Sequence, residues 1–124
     1  MNVVDSSAWL EYFADGRNAG HFAAVIEAPE TLLAPSITLL EVFKRISQQR
    51  DDGTALQCVA VMQQSVVVEL GAALALRAAM LGRQYKLPLA DSVVYATAQA
   101  GDALVWTQDA AFEGLPGVKF WRKG

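Results

Sequence analysis

Four acidic residues lie where this chain of 124 residues is predicted to leave its strands or enter its helices: Asp5, Glu41, Asp91 and Asp109. Apolar sequence lies within a few positions of each, so we expect their carboxylates beside the core. A carboxylate there is costly unless something pairs with it, and four converging carboxylates repel one another. A hard divalent cation bound through oxygen relieves both costs. The pattern therefore indicates metal-assisted chemistry, with phosphodiester hydrolysis as the leading candidate.

Each of these acids also has a purely structural explanation. Asp5 could cap the first helix, and the pair Thr38 and Glu41 has the spacing of a capping box. Asp91 in the first turn of a helix would interact favourably with the helix dipole. Asp109 could start a turn or cap a short helix. The combination of all four at predicted strand and helix ends, rather than any single one, supports a shared site.

The elements that must position these acids follow from the hydrophobic pattern, which predicts short β-branched strands alternating with helices. Such alternation indicates βαβ units and a parallel sheet. We therefore predict one domain, residues 1–124, with the fold of a three-layer α/β/α sandwich around a parallel sheet of about five strands. The predicted strands are 2–5, 31–34, 65–70, 103–106 and 118–121, and the predicted helices are 8–14, 20–28, 36–49, 54–64, 71–85 and 90–100.

In open parallel sheets, ligands collect at the carboxyl ends of the strands. Asp5 ends the first predicted strand, and Asp109 follows the fourth. Glu41 and Asp91 are expected in the first turns of helices that could flank the same edge. The predicted topology can therefore bring all four carboxylates to one place.

Composition limits the classes of function. Hydrophobic residues make up 53% of the chain, enough for a sizeable core, and the net charge of −3 argues against a simple basic nucleic-acid binder. The four candidate acids account for more than that whole net charge, so an RNA substrate is not excluded. Cys58 is the single cysteine, which rules out an internal disulfide and a Cys/His zinc cluster. No signal peptide or membrane-spanning stretch is visible, and we expect a cytoplasmic protein.

Four segments in series resemble a PIN-domain ribonuclease of the VapC toxin type, and their order and spacing agree along nearly the whole chain. Each segment alone is a weak signal, but the series in a chain of this length is a strong one. The segments are Val-Val-Asp-Ser-Ser-Ala-Trp-Leu-Glu at 3–11, Pro-Ser-Ile-Thr-Leu-Leu-Glu-Val at 35–42, Leu-Pro-Leu-Ala-Asp-Ser-Val-Val-Tyr-Ala-Thr-Ala at 87–98 and Leu-Val-Trp-Thr-Gln-Asp-Ala-Ala-Phe at 104–112.

The resemblance implies a metal-dependent endoribonuclease whose acidic residues hold Mg²⁺, or Mn²⁺ in its place. By position, Asp5 and Asp91 match the family's main metal ligands, Glu41 matches the second acidic position and Asp109 the fourth. Thr107 matches a hydroxyl position that helps to orient the site. The resemblance further implies the toxin role in a type II toxin–antitoxin pair, a cognate antitoxin protein that blocks the site, and homodimerisation.

Contacts to RNA phosphates would come from scattered cations. Lys44, Arg45 and Arg50 follow Glu41, but Arg83 and Lys86, which precede Asp91, are the favoured candidates.

Two other classes of protein stay open at this stage. A receiver-type phosphoacceptor domain has a similar length and also uses carboxylates with Mg²⁺, but it needs paired acids after the first strand. A non-catalytic PIN-like module that binds RNA or protein is the other alternative. A haloacid-dehalogenase-type phosphatase needs an acid two positions after Asp5, and that position is Ser7.

Overall fold

The computed structural model describes all 124 residues and contains five strands and six α-helices, with two α-helices after each of the first three strands. The strands are β1 (Asn2–Val4), β2 (Leu33–Pro35), β3 (Val66–Val68), β4 (Leu104–Thr107) and β5 (Val118–Phe120). The helices are α1 (Ser6–Phe13), α2 (Ala19–Ile26), α3 (Ser36–Gln49), α4 (Asp52–Met62), α5 (Ala72–Tyr85) and α6 (Leu89–Ala100). Single turns of 3-10 helix form at Pro29–Thr31 and Ala110–Phe112. None of the helices is both long and apolar enough to cross a membrane.

All strand pairings are parallel, as the alternation of strands and helices predicts. Strand β1 pairs with β4, β4 pairs with β5, and β2 pairs with β3. One further bridge, between Asn2 and Leu32, joins the two groups. The order across the sheet is therefore β3-β2-β1-β4-β5, which places β1 at the centre and β4 directly beside it.

Helices cover both faces of this sheet, and the alternation of side chains along β1 divides the core between them. Val4 packs with Trp9 and Phe22 in a cluster built from α1 to α4. Val3, its neighbour, packs with Val94 and the residues of α5 and α6 on the opposite face. Successive side chains of a strand point to opposite faces, so one short apolar strand supports two layers of helices. The predicted three-layer α/β/α fold is confirmed.

The structure corrects two details of the predicted helix starts. Asp5 occupies the position before α1, but its side chain does not cap the helix, because it makes no capping hydrogen bond there. The Thr38 hydroxyl donates to the carbonyl oxygen of Pro35, and α3 begins at Ser36 without a side-chain cap. The predicted capping box is therefore absent, and Glu41 lies in the second turn of α3 rather than the first.

Two helical glycines are expected to respond in opposite ways to alanine, because one is crowded and the other is not. A Cβ at Gly82 would lie 3.0 Å from the Cβ of Ser92, where α5 crosses α6, whereas a Cβ at Gly20 in α2 would meet nothing within 4 Å. Gly20→Ala should raise the free energy of unfolding by about 0.5 kcal/mol through helix propensity. Gly82→Ala should lower it by about 1 kcal/mol, because the backbone of α6 holds Ser92 in place. Urea unfolding of the two variants measures both changes, and equal shifts would contradict the close approach of α5 to α6.

Candidate active site

Asp5 lies at the carboxyl end of the central strand β1, and its side chain is 1% exposed. Its backbone N–H donates to the carbonyl oxygen of Trp106 at 3.0 Å, which extends the β1–β4 ladder by one residue. Its carbonyl oxygen accepts the N–H groups of Ala8 and Trp9 at the start of α1. The backbone thus turns from strand to helix at this residue and leaves the buried carboxylate at the sheet edge.

Two hydroxyls hold one oxygen of that carboxylate. Ser7 Oγ donates to Asp5 Oδ2 at 2.7 Å, and Thr107 Oγ1, at the end of β4, donates to the same atom at 2.9 Å. Each hydroxyl has one proton, so both protons are used on Oδ2. The other oxygen, Asp5 Oδ1, is buried and has no hydrogen-bond partner.

The other three acids reach this place from different elements. Asp109 follows β4, donates its backbone N–H to Thr107 Oγ1 at 2.9 Å, and caps the 3-10 turn with its Oδ1. Asp91 is buried in the first turn of α6. Glu41 extends from α3 and is half-buried. Their charges act on one another and on Asp5, so the structure brings all four predicted acids into one electrostatic group.

Burial and the closeness of the other acids disfavour the charged forms of the Asp5, Glu41 and Asp91 carboxyl groups. Burial, followed by the negative charges of Asp5 and Asp109, raises the pKa of Asp91 to about 8. Burial also raises the pKa of Glu41, although the Ser6 hydroxyl opposes this. The pKa of Asp5 is raised as well, because its burial outweighs the hydrogen bonds from Ser7 and Thr107 and the weaker effect of the Ser6 backbone N–H, which lies near the carboxylate without a hydrogen bond of good geometry. An added cation would reverse this trend and favour the ionised carboxylates.

The arrangement limits how a cation could be held. No three His, Cys, Asp or Glu side chains surround one point in a way that would hold a metal ion, so the four acids do not form a closed cage. Mg²⁺ usually binds proteins through one or two carboxylates and keeps several waters. The unpartnered oxygen Asp5 Oδ1 and the crowded carboxylate of Asp91 fit such an open site.

A buried amide pair that the sequence gives no reason to connect supports this edge of the sheet. Asn18 Nδ2 donates to Gln108 Oε1 at 3.0 Å and to the carbonyl oxygen of Arg122. Gln108 in turn donates its backbone N–H to Ser7 Oγ at 3.3 Å. Glu11, which could have reached the site, accepts the backbone N–H of Asn18 at 2.9 Å. These residues lie far apart along the chain. Among them, only Ser7 had a sequence signal, which is the Asp-Ser-Ser motif.

Thr107 is expected to position Asp5, and valine tests this because it keeps the shape and removes the hydroxyl. Thr107→Val leaves Asp5 Oδ2 with one donor and the N–H of Asp109 without its acceptor. We expect a loss of about 1–3 kcal/mol in unfolding free energy. A catalytic activity that depends on Asp5 should fall by roughly 10- to 100-fold. Thr107→Ser keeps the hydroxyl and is the matched control. Equal behaviour of the two variants would contradict the positioning role.

Without metal, the protein is expected to lose stability as the pH rises from about 4 to about 8. The pKa of Asp91 is about 8 in the folded chain and 3.8 in its ordinary state. Its stabilising contribution is therefore complete below about pH 4 and is lost as the pH rises through 8. Because water screens part of the effect, we expect the free energy of unfolding to be lower at pH 8 than at pH 5 by on the order of 2 kcal/mol. Urea unfolding in EDTA measures it. Asp91→Asn should remove most of the dependence, and a wild-type protein equally stable at both pH values would contradict the crowding.

Comparisons with known proteins agree with this fold. A model of the PIN domain family matches residues 3–118. A toxin–antitoxin complex from Klebsiella pneumoniae contains a chain with TM-score 0.79 and 24% identity, with 96% of each chain covered. A VapC toxin from Mycobacterium tuberculosis, described as cleaving the sarcin-ricin loop, has TM-score 0.78 and 16% identity, with 95% of this chain and 97% of that chain covered. The DNA-bound VapBC of Salmonella typhimurium has TM-score 0.70 and 15% identity over 98% of each chain. A comparison with curated proteins returned no match.

The chain belongs to the PIN domain family. Its structural neighbours are VapC toxins and VapBC complexes, as the four sequence segments indicated. The sheet order also rules out the receiver-type alternative. Receiver domains such as CheY have the strand order 2-1-3-4-5, whereas this sheet has the order 3-2-1-4-5.

Proposed function

We propose that this protein is a Mg²⁺-dependent endoribonuclease that acts as the toxin of a type II toxin–antitoxin pair. The observation that carries the proposal is the state of Asp5. Its Oδ1 is fully buried and has no partner, although three other acids crowd around it. A buried acceptor without a donor is costly, and a cation is the partner that fits an acceptor among negative charges.

The roles of the side chains follow from their burial and contacts. Asp5 and Asp91, the two buried acids, would hold the ion directly, with Mn²⁺ as an alternative to Mg²⁺. Glu41 and Asp109 are more exposed and would act through water, orienting the attacking water molecule. Thr107 and Ser7 keep Asp5 in place by donating to Oδ2. When bound, the ion would supply an activated water and offset the charge of the scissile phosphate.

Cleavage of RNA but not of DNA tests the proposal directly. The purified protein is incubated with a single-stranded RNA and with a DNA of the same sequence in millimolar Mg²⁺, and the products are separated by size. The proposal expects internal cuts in the RNA. An intact RNA after prolonged incubation with well-folded protein would overturn it and favour the non-catalytic PIN-like module.

The toxin role adds two expectations about partners. A cognate antitoxin should bind the protein and stop cleavage, and two copies of the chain should form a homodimer. The support is the similarity in fold to chains from toxin–antitoxin complexes. Co-expression with the product of a small neighbouring gene, followed by purification and a cleavage assay, tests the first expectation. Analytical ultracentrifugation tests the second.

A further inference from the structure

A cleft of 530 Å³ opens beside the acidic site, between α1, α3, α4 and the C-terminal segment. This volume lies within the range of about 300–1,000 Å³ that is usual for ligand clefts. Three cations line it: Arg45 and Arg50 from α3 and the residue that follows it, and Lys123 near the C-terminus. Leu10 and Phe13 of α1 give it an apolar side.

These cations form no salt bridge within the protein. The one salt bridge in the structure joins Arg122 to Glu113, so none of the three cleft cations is in an ion pair. Glu11, the single acid of the cleft, accepts the N–H of Asn18, and Asp51, which follows Arg50 in the chain, caps α4 by accepting the N–H of Thr54. The lining of the cleft therefore carries three cations and one acid, in a chain whose net charge is −3.

The cleft adjoins the acidic site through three residues of its lining, Ser6, Ser7 and Gln108. Ser7 donates to Asp5, and Gln108 directly precedes Asp109. A nucleic-acid strand could extend from the four carboxylates past Ser7 and Gln108. Its phosphates would then pass from the negative site to a concave surface lined by cations.

We infer that this cleft binds the single-stranded RNA that flanks the cleaved bond, with Arg45, Arg50 and Lys123 on its phosphates and Phe13 beside a base. This inference rests on the proposed function and names the path of its substrate. Cations that form no salt bridge can bind phosphates, and an aromatic side chain can stack on a base of any sequence. The unpaired bases of a single strand can enter a cleft and stack on aromatic side chains, whereas the bases of an A-form duplex stay stacked inside the helix. Arg83 and Lys86, which the sequence favoured as RNA contacts, do not line the cleft.

RNA binding by paired variants tests the inference. All variants carry Asp5→Asn, so that the RNA stays intact, and binding of a fluorescent single-stranded RNA is measured by anisotropy at several salt concentrations. Arg45→Ala with Arg50→Ala should weaken binding about tenfold or more at low salt and reduce the salt slope by about 1.4, since each phosphate contact on a single strand contributes about 0.7. Lys44→Ala is the matched control, because Lys44 is exposed on the same helix and does not line the cleft. Arg45→Lys with Arg50→Lys keeps both charges and should retain most of the slope.

The outcomes separate this inference from the proposed function. If wild-type protein cleaves RNA but the double alanine variant binds it like the Lys44→Ala control, the cleft inference is wrong and the nuclease proposal stands. If the double variant binds RNA normally but loses a co-expressed protein partner, the cleft belongs to that partner and the inference is also wrong. Equal binding of the annealed duplex would overturn the single-strand assignment. If wild-type protein neither binds nor cleaves RNA, both proposals fail.

Discussion

Replacing Asp5 with asparagine is expected to lower the rate of RNA cleavage by on the order of 100- to 1,000-fold, the usual cost of removing one group that stabilises transition-state charge. The substitution keeps the size of the side chain and removes its negative charge. An amide at this position is a poor partner for a divalent cation, because cations of this class prefer charged oxygen ligands. The loss should appear in kcat at saturating RNA, measured with a fluorogenic substrate in excess Mg²⁺.

Folding is expected to survive this change. Asp5 is a buried acid whose pKa is raised, so its neutral replacement relieves repulsion from Asp109 and Asp91. The thermal midpoint of Asp5→Asn should therefore equal or exceed that of the wild type. Asp102→Asn is the matched control, since it makes the same chemical change at an exposed residue after α6 whose φ of 50° asparagine also accepts. Undiminished cleavage by Asp5→Asn would remove the basis of the proposed mechanism.

Removal of divalent metal is expected to stop cleavage completely, and addition of Mg²⁺ or Mn²⁺ should restore it. Without a cation, four acidic side chains face the negative phosphate of the substrate, and nothing offsets the charge of the transition state. The measurement is the cleavage rate after dialysis against EDTA, followed by titration with MgCl₂. Cleavage that persists in EDTA would contradict metal dependence.

A second readout of the same titration does not depend on activity. A ligand that binds only the folded protein stabilises it by about 2.7 kcal/mol at a concentration 100 times its Kd. The gain in unfolding free energy on adding metal should be larger at pH 8 than at pH 5. The reason is that protons compete with metal for Asp91, whose pKa is about 8. Asp91→Asn should show a much smaller gain than Asp102→Asn. A gain of equal size in both variants would place the ion elsewhere on the protein.

The helices and strands were largely predictable from the sequence because the signals for them are local. The β-branched run at 66–68 and the apolar run at 104–107 are flanked by turn residues, and each became a strand within one or two residues of its predicted ends. The bounds of α3, Ser36–Gln49, agree with the predicted helix at both ends. The parallel sheet followed from the alternation of elements, since a helix between two strands returns the chain in the same direction.

Local signals were misleading where a side chain serves a distant partner instead of its own helix. The spacing of Thr38 and Glu41 predicted a capping box, but Thr38 donates to Pro35 and Glu41 faces the other acids. Asp5 could have capped the first helix, but its carboxylate instead accepts from the hydroxyls of Ser7 and Thr107. At both positions, contacts at the sheet edge replace the local capping that the sequence suggested.

The sequence by itself determined which acids could meet, because the carboxyl ends of adjacent parallel strands lie at one edge and Asp5 and Asp109 follow such strands. The three-dimensional structure alone decided how they meet. The two hydroxyls on Asp5 Oδ2, the unpartnered Oδ1, the open arrangement of acids and the cationic cleft beside them depend on residues from distant parts of the chain. Thr107 and Gln108, for example, lie about a hundred positions from Asp5 and Ser7, which they contact. Such contacts are determined by the packing of helices against the sheet, and no periodicity along the chain records them.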